Sequence, residues 1–149
     1  MMSTDQEVTS ELIKTLKNGE EGFRSAGEKL SDSDRPELGS EFMRYSEQRA
    51  RFSTELASMA EAYGDDVPER STVPGAVHRG WLAVKDALTG SSPEAVLKAA
   101  VTGEDHAVEQ YEEALTADIS TGLRTVLTRQ SAEVSTTRDR VKSLANASS

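Results

Sequence analysis

The chain has 149 residues, enough for one domain with a real core, and 36% hydrophobic against 5% aromatic content predicts that core to be mostly aliphatic. A net charge of −9 argues against nucleic acid and anionic membrane surfaces as partners, because both are polyanions that need basic patches. Cysteine is absent, which excludes disulfides, thiolate metal sites and cysteine nucleophiles; the polar, acidic start MMSTDQEVTSELIK lacks a signal peptide's apolar stretch, and no apolar run approaches a membrane span, so a soluble, cytoplasmic protein is expected.

Apolar residues recur every three or four positions, and no segment alternates as a strand would. The first predicted helix runs from about Asp5 to Leu30, with Ser3 and Gln6 at capping-box spacing. The second runs from about Asp34 to Tyr63. Asp34 and Glu37 have capping spacing, Pro36 suits a first turn, and Gly64 suits the stop. GDDVPERSTVPG then reads as a loop. A short helix is expected from about Val77 to Leu88, ended by TGSS. Ser92-Pro93-Glu94 opens a third long helix that reaches about Thr116. The fourth runs from about Asp118 to Ala145.

Short links make two antiparallel hairpins. The link from Gly64 to Ser92 is long enough to run the length of a helix of roughly 45 Å. Two hairpins and one long crossover make a ferritin-like arrangement, here as a single domain over residues 1–149.

At about 100° per residue, the inward stripes can be read directly. They are Val8, Leu12, Leu16, Gly19, Phe23, Ala26 and Leu30 on the first helix, and Leu38, Phe42, Tyr45, Phe52, Leu56 and Ala60 on the second. Leu97, Ala100, Val101, Val108, Tyr111 and Leu115 follow on the third, and Ile119, Leu123, Val126, Val134, Val141 and Leu144 on the fourth. Polar residues interrupt them: Glu20 at an edge, Arg49 and Glu104 inside, and Gln130 and Thr137 inside with Glu133 at the edge. Glu20, Arg49, Glu104 and Gln130 sit near mid-helix and are expected to form one polar layer. Such a layer is costly unless its members satisfy one another. A buried Arg49–Glu104 pair is predicted, with Gln130 and the hydroxyl of Tyr45 or Tyr111 filling spare valences.

The run GEDHAVEQYEE, residues 103–113, carries five acidic residues and a histidine. Glu104 and His106 lie about 200° apart on a helix and cannot chelate one ion. His106, Glu109 and Glu113 are expected on the wet side. Gly19, Gly22 and Gly27 cost the first helix about 1 kcal/mol each relative to alanine. A close backbone approach would account for Gly19, and contact with a second copy for Gly22, so a homodimer is one expectation.

The segments LKNGEEGFRSAGEKL, RARFSTEL, HRGWLAVKDALTG, GEDHAVEQYEEAL and TVLTRQSAEV occur in this order. Through them the chain resembles an uncharacterised family of bacterial four-helix-bundle proteins, a domain of unknown function within the ferritin-like superfamily. The resemblance spans almost the whole chain and implies the ferritin-like bundle. It brings no activity with it. Its most specific pieces, His78-Arg79-Gly80-Trp81 and Gly103-Glu104-Asp105 with Tyr111, make His78 and Trp81 the residues to watch for a pocket beside the crossover.

Di-iron members of that superfamily use lone glutamates and Glu-x-x-His pairs, whose i and i+3 spacing puts carboxylate and imidazole on one face. This chain contains no Glu-x-x-His. Arg49 places a fixed positive charge where a dication would sit and competes for Glu104. The expected function is a non-enzymatic binding or interaction module without cofactor or catalytic residues, stress association being one role it could fill. The alternative is a ferritin-like oxidoreductase or metal-storage protein holding iron or manganese on Glu20, Glu104 and Glu133.

Overall fold

The computed structural model describes residues 4–62 and 92–147. Among these residues it is all-helical, with four long helices and no strand. Helix α1 spans Thr4–Ser31, α2 Pro36–Ala62, α3 Pro93–Thr116 and α4 Thr121–Ala147. The expected short helix, the crossover, and His78 and Trp81 lie outside the described residues.

The helix ends follow local chemistry. Ser92 caps α3 by accepting from the Ala95 amide, with Pro93 in the first turn and Glu94 at the positive end of the helix dipole. The start of α2 differs from expectation. Ser33, not Asp34, clamps the turn, accepting from the Arg35 amide at 3.0 Å and donating to the Leu30 carbonyl at 2.6 Å. Helix α4 begins three residues later than predicted. Ser120 is its cap, taking the Leu123 amide on its hydroxyl, and the Ser120 amide donates to Asp5 at the start of α1. Arg124 reaches back to the Leu115 and Ala117 carbonyls, satisfying acceptors at the C-terminal end of α3.

Leu30, Leu38, Val96 and Leu144 share one apolar cluster with Phe23, Phe42, Leu97, Ala100 and Val141. Leu12, Leu56, Tyr111 and Leu123 share the other with Leu16, Phe52, Val108, Leu127 and Val134. The end of α1 thus meets the starts of α2 and α3 and the end of α4. Helices α1 and α2 are antiparallel, as are α3 and α4, while α2 and α3 run the same way.

Helix α1 packs most closely on α2. Gly27 faces Gly39 across this contact. A methyl at Gly39 would fall 2.1 Å from the Ser31 hydroxyl and 2.8 Å from the Gly27 carbonyl oxygen, so glycine lets the backbones touch. Gly22, expected at a contact with a second copy, is instead buried within the chain.

Between the two clusters every helix turns small or polar at one height: Gly19 and Gly22 on α1, Ser46 and Arg49 on α2, Gly103 and Glu104 on α3, and Thr137 on α4, all buried. A polar belt therefore divides the core.

Candidate polar centre

Arg49 and Glu104 meet inside the belt. Arg49 Nη1 donates to Glu104 Oε1 and Nη2 to Oε2, each at 2.7 Å, a two-pronged, charge-assisted contact. The side chains are 1% and 0% exposed. At that burial a lone charge would be untenable, so each is held in place by the other. The guanidinium carbon lies 5.2 Å from the centroid of the Phe23 ring, within cation–π range. Phe23 meets Phe42 edge-on at 5.4 Å and Tyr45 at 5.5 Å. This aromatic wall closes the belt toward the first cluster.

Other members of the expected layer are spent elsewhere. Tyr111 donates to Gln130 Oε1 at 2.8 Å, and Gln130 Nε2 donates to Glu55 Oε1 at 2.8 Å. Glu55 is bonded in turn to Arg129. Tyr45 donates to Glu41. Contrary to expectation, neither Gln130 nor a tyrosine fills the valences of the Arg49–Glu104 pair, because each has a partner elsewhere. Glu20 joins the belt only through its backbone carbonyl, which accepts from Ser46 at 2.8 Å, and its side chain is half-buried at the edge. The single layer is two networks, one around Arg49 and one around Tyr111–Gln130.

The third donor edge of Arg49 points outward. Nε donates to Gln48 Oε1 at 3.3 Å, which also accepts from Thr137 at 3.4 Å. Gln48 and Glu55 were not anticipated. The legible signal was Ser46, Arg49 and Ser53, a polar line at i, i+3 and i+7 on one buried face of α2.

The alternative carboxylate set is not assembled. Glu104 is buried and forked on Arg49, Glu133 is exposed, and Glu20 lies at the edge. Among the described residues no group of three His, Asp or Glu side chains is placed to hold an ion. His106 departs from its expected wet position. It is half-buried, its Nδ1 covered and 3.7 Å from Glu109.

Electrostatics follow these contacts. Burial pushes the Tyr111 phenol well above its ordinary value of 10.0. Burial raises Tyr45 too, and its bond to Glu41 adds to the shift. Burial acts to raise the Glu41 carboxyl, but Arg140 and Tyr45 outweigh it and hold the group below its ordinary 4.5. Arg129 does the same for Glu55, against partial burial and with help from Gln130.

No described helix is long and apolar enough to cross a membrane. A search of curated proteins finds none that matches the chain. A family model does match, over residues 7–117. That stretch contains α2 and α3, with both partners of the buried pair, and nearly all of α1. It stops short of α4, which completes the core. By that match the chain belongs to the family described as a domain of unknown function, DUF2383.

Proposed function

We propose that the chain is a ferritin-like bundle that works as a non-enzymatic binding or interaction module, its centre held by Arg49 in place of a metal ion. The observation that carries this reading is the fully buried, two-pronged Arg49–Glu104 contact. It sits at mid-bundle, where inward glutamates would otherwise hold an ion, and it consumes the carboxylate any such site would need. The parallel course of α2 and α3 supports a ferritin-like arrangement, in which the second and third long helices run the same way. A single domain fits α4 completing the core beyond the family match. A setting without nucleic-acid or anionic membrane partners fits the charge of −9.

Protein purified without chelators and offered ferrous iron or manganese tests the reading. It expects no stoichiometric metal and no oxygen uptake on iron addition. Bound iron or manganese that disappears in Glu104→Ala would replace it with the metal-dependent reading.

A further inference from the structure

Helices α2 and α4 face each other across an open surface groove of about 640 Å³. Its walls are polar. At one end Arg140 grips Glu41 through Nε and Nη2, at 2.9 and 3.1 Å, and Tyr45 donates to the same carboxylate. Arg44 stands beside them, close enough to help hold the Glu41 carboxyl low. Two guanidinium groups thus serve one carboxylate, and Arg44 makes no ion pair among the described residues. Gln48 lies deeper, its carbonyl oxygen taken by Arg49 and Thr137 and its amide nitrogen without a partner among the described residues. The Arg44 guanidinium and the Gln48 amide are the uncommitted donors here. Glu133, exposed on α4, lines the groove as well and opposes an anion there.

We propose that this groove binds a small molecule through one anionic group, a carboxylate or a phosphate, held by Arg44 with Arg140 and reached from within by the Gln48 amide. A planar guanidinium suits both head groups, because its donors match their paired oxygens. Behind Gln48 lies Arg49, whose positive charge is balanced by Glu104 on its far side, so the inner wall does not repel an anion. The proposal concerns the α2–α4 surface and stands whether or not an ion can enter the core.

The test is a residue-resolved NMR titration of the full chain with inorganic phosphate and, separately, acetate at matched ionic strength. Saturable shifts confined to the groove, around Tyr45, Gln48 and Thr137, are expected for at least one anion; which one saturates tells phosphate from carboxylate. Arg44→Ala should weaken binding by about 10-fold, the worth of a charged hydrogen bond. Glu133→Gln should strengthen it. Arg51→Ala, an exposed arginine of α2 outside the groove, should change nothing. Shifts that spread over the surface or fail to saturate with both anions would overturn the proposal. Equal loss in Arg51→Ala and Arg44→Ala would do the same.

Discussion

Arg49 and Glu104, fifty-five residues apart in the chain, meet fork to fork at 2.7 Å where two apolar clusters would otherwise join. Removing one partner strands the other charge in a place with almost no water. Arg49→Ala or Glu104→Ala should each lower stability by about 3–5 kcal/mol. Arg49→Met with Glu104→Leu removes both charges at similar volume and should recover most of that loss. Urea denaturation of the four proteins checks it; single variants as stable as the parent would show that the pair is not buried in solution.

The space around two glycines predicts opposite signs for their replacement by alanine. Gly39→Ala drives a methyl against the Gly27 carbonyl oxygen and should cost about 1–3 kcal/mol through overpacking. Gly122, early in α4, has nothing within 4 Å of a new methyl, and alanine there should stabilise by a few tenths to about 1 kcal/mol. Thermal midpoints would tell, and a neutral Gly39→Ala would mean that the helices can part without loss.

Tyr111→Phe leaves Gln130 Oε1 buried without its donor. The expected loss is about 1–3 kcal/mol, the cost of an unsatisfied buried acceptor rather than of one average hydrogen bond. Gln130→Leu in the same background should return part of it, and the double-mutant cycle measures the coupling. A cycle that closes to zero would mean the two side chains do not interact.

Glu41 and Glu55 give the bundle an acid limit. Their folded values lie below the ordinary 4.5, so the folded state holds fewer protons than the unfolded state as pH falls past that value. Their contribution is complete above about pH 4.5 and fades as pH drops through the folded values. Glu55 is partly exposed, so solvent screening trims its share. The double variant Glu41→Gln, Glu55→Gln should be less stable at neutral pH and lose less stability on acidification. An acid profile unchanged by it would place the acid limit in other carboxylates.

The helices themselves were legible from residue spacing, because burial on one side repeats with the helical period whatever the partner is. Leu12, Phe23, Phe42, Leu97, Leu123 and Val141 were all readable as inward, and all are buried. Arg49 and Glu104 stood out because a charge inside an apolar stripe demands an opposite one. Caps were harder to read. Ser33 holds the turn before α2 where Asp34 was the expected cap, and Ser120 caps α4, because hydroxyls and carboxylates bond backbone amides alike and only the path of the chain selects among neighbours.

Period and charge along the chain sufficed to determine four amphipathic helices and a buried arginine in need of a carboxylate. Which groups shared a height was decided only by tertiary packing. Gln130 went to Tyr111 and Glu55, Tyr45 went to Glu41, and Glu20 stayed at the edge, because a hydrogen bond forms or fails within about an ångström while helical periodicity fixes direction alone. The Gly27–Gly39 contact and the polar groove between α2 and α4 belong to the same class. They depend on how far apart two helix axes lie, a distance set by every side chain between them.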